Sequence, residues 1–179
     1  MLIRLHHSMS LDGFSADASG RPVLLNMPTF YPGVSYGHPE FFAQCDAVVV
    51  GRTTFDPALG ALRWPWPGKR IYVLTSRPVP ATPAGTDVEI CPGGAAEVVD
   101  RLRASGSTGD VHLLGGPGTI RQFHELGVID RLEILVLPLL LGTGMPLFPL
   151  GRTEDRLELV EHVGYPDGTV KLCYRVARP

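Results

Sequence analysis

The stretch "LLGGPGTIRQFHELGVIDRLEILVL", residues 113–137, carries the fold. It opens on an apolar run, breaks at Gly115, Gly116, Pro117 and Gly118, and resumes as a segment with Ile120, Phe123 and Leu126 on one helical face, stopped by Gly127. It closes on a β-rich run, so the order is strand, helix, strand, the unit of a parallel sheet. The three glycines have two readings. They make a tight turn, or they clear side chains so that a phosphate reaches main-chain amides at a helix N-terminus. The stretch fits neither G-x-G-x-x-G nor a phosphate loop ending in G-K-[ST], so the rest of the chain has to decide.

Working outward, "LIRLHH", "AVVVG", "RIYVLT", "DVEIC", "DVHLL" and "RLEILVL" read as strands separated by helical or turn segments. "AAEVVDRLRASG" predicts an amphipathic crossover helix with Ala96, Val99 and Leu102 inward and Gly106 as its stop. The tail alternates apolar and polar residues in "RLELVEHVGY" and "TVKLCYRV" around Pro166-Asp167-Gly168, which predicts an antiparallel hairpin. The expected fold is α/β, a mixed and mostly parallel sheet finished by that hairpin.

With 179 residues, one domain spanning 1–179 is expected, large enough to bury a core without disulfides. A net charge of -2 and scattered basic residues argue against a nucleic-acid partner. Cys45, Cys91 and Cys173 form no C-x-x-C pair, and Arg4, His6 and His7 interrupt any signal-peptide core. No run approaches the roughly 20 apolar residues of a membrane span. A soluble cytoplasmic protein follows as the expectation. His6 and His7 adjoin on a strand and point to opposite faces, so no metal site is expected there. "PTFYPGVSYGHP" and "RWPWPGKR" are read as ordered connections, with Trp64 and Trp66 as loop anchors.

Ligands of open α/β sheets sit beyond the carboxyl ends of parallel strands. Three predicted strand ends share one chemistry. "AVVVGRTTFD" supplies Gly51, Arg52, Thr53 and Thr54, with Thr53 and Asp56 at capping-box spacing; "RIYVLTSRP" supplies Thr75, Ser76 and Arg77; "VHLLGGPGT" supplies the glycines. Each has an ordinary structural reading. Together they favour a ligand with several phosphates.

The ordered set "SMSLDGFSA", "VVVGRTTF", "VLTSRP", "LLGGPGTIRQF" and "LPLLLGTGMPLFP" resembles the dihydrofolate reductase superfamily, and more closely the reductase domain of the riboflavin-biosynthesis deaminase-reductase. The resemblance implies a three-layer αβα fold and a reductase using NADPH. It places Ser8 near the nicotinamide carboxamide, Gly51, Thr53 and Thr54 at the pyrophosphate, and Arg52, Thr75, Ser76 and Arg77 around the adenosine-side phosphate. Gly115 and Gly116 would pass under the pyrophosphate, joined by a cis peptide as in folate enzymes, with Gly116, Gly118 and Thr119 as anion donors. The acidic residue those enzymes carry after the first loop is missing from "SYGHPEFFAQ", which leaves Asp12 and Glu40 as the nearby carboxylates to handle a proton. Phe41 and Lys69 are expected on the substrate, Lys69 toward an anionic group. A non-catalytic nucleotide-binding module and a pterin or folate reductase are the competing readings. A homodimer is implied, with "LEILVLPLLLGTGMPLFP" partly core and partly subunit contact.

Overall fold

Apolar runs flanked by turn residues become the strands of a computed structural model that describes residues 1–26, 34–148 and 155–177. In chain order the strands are β1 (Ile3–Ser10), β2 (Phe14–Ala16), β3 (Cys45–Gly51), β4 (Arg70–Leu74), β5 (Asp87–Cys91), β6 (Asp110–Gly115), β7 (Arg131–Leu137), β8 (Met145–Pro146), β9 (Leu157–Gly164) and β10 (Val170–Val176). The helices are α1 (His38–Ala43), α2 (Arg52–Leu59), α3 (Gly94–Ala104) and α4 (Pro117–Glu125). Eight strands form one sheet in the order β5-β4-β3-β6-β1-β7-β10-β9, while β2 and β8 pair separately. The ladders from β5 to β7 are parallel, and β10 pairs antiparallel with both β7 and β9. The mixed sheet and its terminal hairpin are those expected from the sequence.

Period-two alternation sends the residues of β3 and β4 alternately to two different cores. On one face Leu5, Val49, Tyr72 and Leu113 pack against Ala95, Val98 and Leu102 of α3 and Ile120 and Phe123 of α4. On the other, Val48, Val50, Ile71 and Val73 pack against Phe55 and Ala58 of α2 and against Trp66, so the tryptophan loop is anchored as read. Two inward positions differ from expectation. Ala95 and Val98 are buried where Ala96 was expected, because the stripe 95-98-99-102 keeps the i, i+3, i+4, i+7 phase and Ala96 falls off it. Leu126 is the exposed C-cap of α4, lying past the last helical residue where Gly127 turns the chain at φ +62°. Residues 28–33 of the first proline-rich connection, and Pro149 at the end of the apolar run, lie outside the described residues.

One departure from regular pairing positions the site. β1 and β6 are laddered only from Ile3↔Val111 to Leu5↔Leu113. Beyond that β6 stays with β3 up to Val50↔Gly115, while β1 runs on beside β7 to Ser10↔Leu137. Residues 6–10 of β1 therefore border a split in the sheet at its carboxyl end.

Candidate active site

The carboxyl ends of β4, β3 and β6 are adjacent, and register places Gly51 opposite Leu74 and Val50 opposite Gly115. The loops Gly51–Thr54, Thr75–Arg77 and Gly115–Thr119 are thus brought side by side, as the sequence predicts. A Cβ at Gly51 would lie 2.5 Å from the Thr119 hydroxyl, so a larger residue there would force Thr119 to shift. Gly115 stands at φ +91°, and a Cβ on it would meet Ile120 at 2.7 Å, so this glycine meets both a turn requirement and a packing one.

Gly116 and Gly118 differ from Gly115. A Cβ on Gly118 would meet nothing, and one on Gly116 would find only the Thr54 hydroxyl at 3.7 Å. They leave an open strip of backbone at the start of α4, whose N-terminus has no side-chain cap. The Gly116 amide donates to Thr54 Oγ1 at 3.3 Å. The amides of Thr119 and Ile120 both return to the Gly116 carbonyl, so Thr119 does not offer its N–H to an anion as expected; the Gly118 amide has no protein acceptor among the described residues. No peptide among the described residues is cis, which corrects the expectation for Gly115–Gly116.

The two arginines divide the work. Arg52 Nε pairs with Asp56, and Nη1 donates to the Pro78 carbonyl at 2.7 Å, so its guanidinium ties the start of α2 to the segment after β4. The Thr53–Asp56 capping box does not form, because Asp56 is taken by Arg52 and Gly51 occupies the N-cap. The Arg77 amide donates to Thr75 Oγ1 at 3.1 Å, a local turn that leaves Ser76 and the Arg77 side chain exposed. Neither the Ser76 hydroxyl nor the Arg77 guanidinium has a protein partner among the described residues.

Beside the split, β1 lines up Arg4, His6, Ser8 and Ser10 on one face, all buried. Such alternation ordinarily marks a solvent face, yet α1 covers this one. Phe41 of α1 stacks on His6 at 4.5 Å between centroids and lies under the Arg4 guanidinium at 4.7 Å. Arg4 bonds Glu133 of β7 and also reaches Asp110 at 3.0 Å and Gln44 at 2.7 Å. Lys171 of β10 meets the second Glu133 oxygen at 3.4 Å. This buried network escaped the sequence reading, although a lone glutamate inside "RLEILVL" is the signal that marks it.

His6 Nε2 and His112 Nδ1 are buried with no hydrogen-bond partner. Burial pulls the His6 imidazole from 6.5 down to about 2, helped by the nearby His112, His38 and Lys171. Burial likewise takes His112 to about 3, and both rings are neutral at physiological pH.

The expected proton and substrate residues fare differently. Asp12 accepts from the Ser10 hydroxyl at 2.6 Å and from the Leu141 and Gly142 amides, so it clasps the loop after β1 to the segment after β7. The Ser10 bond and the Gly142 amide hold its carboxyl below the ordinary range, which makes it a poor proton donor at neutral pH. Glu40 is exposed on the first turn of α1. Phe41 is 2% exposed, an interior ring with no surface for a ligand. Lys69 precedes β4 and donates to the carbonyl of Cys45, the first residue of β3, so it stands at the amino edge of the sheet, opposite the three loops. The strand read as "RIYVLT" begins at Arg70, which already puts Lys69 at its amino end, and the substrate role came from the resemblance alone.

A family model described as the RibD C-terminal domain matches residues 2–171. The chain belongs to the RibD C-terminal domain family. Among solved structures, a Shewanella sp. PV-4 protein named for riboflavin biosynthesis superposes on this RibD C-terminal domain with a TM-score of 0.87 at 26% identity, covering 99% of this chain and all of that one. The Thermotoga maritima diaminohydroxyphosphoribosylaminopyrimidine deaminase/5-amino-6-(5-phosphoribosylamino)uracil reductase gives 0.73 at 15% identity, where this chain spans 56% of the longer protein and the likeness concerns fold alone. YwjB of Bacillus subtilis (strain 168), an uncharacterized protein, is 28% identical over 156 residues, 87% of each chain. The fold and family expected from the ordered motifs are therefore those found. No helix among the described residues is long and apolar enough to cross a membrane.

Proposed function

We propose that this RibD C-terminal domain is an NADPH-dependent reductase acting on a small heterocyclic substrate. The carrying observation is the juxtaposition at adjacent strand ends of an open glycine backbone, an uncapped N-terminus of α4, and the unpartnered Ser76 and Arg77. These residues fit a dinucleotide bearing an extra phosphate. Gly116 and Gly118 leave room for a pyrophosphate, and the Gly118 amide at the positive end of α4 suits its charge. Arg77 and Ser76 would hold the phosphate on the adenosine ribose, with Arg52 keeping their loop in place. Ser8, in the split between β1 and β6, would meet the nicotinamide end. A bound NADPH would supply the hydride.

A second reading keeps the fold as a nucleotide-binding module without turnover. It draws on Asp12 being committed to a loop clasp and on Glu40 facing solvent. Cofactor oxidation against a panel of pterins and phosphoribosylaminopyrimidines separates the two, since steady oxidation with any of them excludes the inert module. Binding of NADPH with no turnover across the panel would favour it.

Assembly is part of the proposal. Leu157, Leu159 and Val160 are exposed on the edge strand β9, and among the described residues no helix packs substantially on β9 or β10. An apolar edge left in water invites association, so a homodimer through this end of the sheet is proposed.

A further inference from the structure

The reading above names no residue that holds the substrate, and the interior of the sheet carries a candidate. Lys171 on β10 pairs with Leu135 on β7, which pairs with Ser8 on β1. The three side chains share a row and a face, so Lys171 points to the same side of the sheet as the serine beside the split. Its residue is 9% exposed, and among the described residues its one ion-pair partner is Glu133 Oε2 at 3.4 Å. The other Glu133 oxygen is already taken by two nitrogens of Arg4.

An ammonium has three donors, and a nearly buried one is ordinarily saturated by carboxylates or carbonyls. Among the described residues Lys171 has a single polar partner, and that one is long. Around it the chain adopts a costly shape. Tyr36, at φ +52°, is the one non-glycine residue among those described with positive φ, and Gly37 follows at φ +75°. Tyr36 is held there by its hydroxyl, which donates to Asp167, and by its ring against Tyr165 at 4.8 Å between centroids. The turn brings bare backbone over the ammonium, since a Cβ on Gly37 would lie 3.2 Å from Lys171 Nζ. Strain of this kind persists where surrounding structure enforces it, and it gathers at ligand sites.

We propose that Lys171 is a substrate-binding residue whose ammonium donates to a neutral carbonyl oxygen of the heterocycle, with Glu133 positioning it. This deepens the reductase reading and rests on it. The preference for a neutral acceptor follows from Glu133. A carboxylate at 3.4 Å nearly cancels the lysine charge, so a phosphate or carboxylate placed on the ammonium would also face Glu133 and be repelled, whereas a carbonyl oxygen accepts the bond without that cost. The anionic group once assigned to Lys69 is therefore not what Lys171 selects.

The test titrates wild type and Lys171→Met with 5,6-diaminouracil, 7,8-dihydropterin and ribose 5-phosphate by calorimetry at saturating NADP⁺, and with NADPH separately. The methionine keeps the length of the stem and removes the donor. Wild type is expected to bind at least one carbonyl heterocycle, and Lys171→Met to bind it about ten-fold more weakly or worse, the loss of one charge-assisted hydrogen bond. NADPH affinity is expected to stay within about two-fold, a split that a general loss of structure would not give. In wild type, where folding is not at issue, the bound heterocycle should also shield Lys171 from reductive methylation read by mass spectrometry. Equal heterocycle affinity in Lys171→Met, unchanged labelling, or binding of ribose 5-phosphate alone would overturn the assignment, as would NADPH binding with no heterocycle bound. Lysine-dependent heterocycle binding without any NADPH binding would instead keep Lys171 as a ligand residue and discard the reductase.

Discussion

Acidification should destabilise this protein well before its carboxylates titrate. His6 and His112 are 6% and 2% exposed, and burial holds their imidazoles near 2 and 3 rather than 6.5. In the unfolded chain each takes up a proton as pH falls through about 6.5, while the folded protein takes up none until far lower. The unfolded state thus binds more protons throughout that window, so stability is full above about pH 7 and is lost as pH falls. At pH 5 each histidine lies about 1.5 pH units below its unfolded midpoint, which costs about 2 kcal/mol, or about 4 kcal/mol for the pair. His7 and His38 are also lowered by burial and add to the same direction. Asp12, Asp46 and Asp167 have lowered pKa values, so their losses enter below about pH 4 and leave the window clear. Urea unfolding followed by tryptophan fluorescence at pH 7.5, 6 and 5 measures the slope, and His6→Gln/His112→Gln should flatten it. A wild-type stability unchanged between pH 7.5 and 5 would refute the neutral buried pair.

Two further outcomes follow from the glycine loop and the sheet edge. Gly115→Val should cost about 2–4 kcal/mol of stability, from overpacking against Ile120 and a φ of +91° that a β-branched residue resists, whereas Gly116→Val should fold nearly as wild type and lose NADPH affinity; thermal melts beside cofactor titration would show the reverse pattern if the open strip were only a turn. Leu159→Glu should convert a dimer to a monomer in light scattering without changing NADPH affinity, and a wild type that is monomeric at every working concentration would remove the assembly proposal.

How much of this was legible in the sequence follows from where side chains meet. The six strands from β1 to β7 other than β2, and the hairpin, showed themselves because burial on one or both faces requires apolar runs of strand length, as in "AVVVG" and "RIYVLT". That the loops Gly51–Thr54, Thr75–Arg77 and Gly115–Thr119 lie side by side was legible because the carboxyl ends of adjacent parallel strands lie on one side whatever the details. The strands β2 and β8 are too short to leave a pattern. The interior stripe Arg4-His6-Ser8-Ser10 was not legible because alternation records polarity, not exposure, and only tertiary packing of Phe41 and the distant Glu133 and Lys171 makes it interior. Lys69 was assigned to the substrate by the resemblance although the strand "RIYVLT" begins just after it, and Asp12 by its place after the first strand, which does not say which amides its carboxylate will meet.

Arg77 offers the most direct measurement of the central claim. Its guanidinium is exposed at the end of β4 with no protein partner among the described residues, so the reading gives it one task, the extra phosphate of NADPH. Each charge-assisted contact to that phosphate contributes about 1.5–3 kcal/mol, so Arg77→Ala should weaken NADPH binding about ten-fold or more while NADH affinity stays nearly unchanged. The wild-type gap between the two cofactors should also narrow as salt rises. Titrating both proteins with both cofactors gives the answer: a loss confined to NADPH is the predicted result, and an equal loss for both, or a wild type that binds neither, would contradict the account.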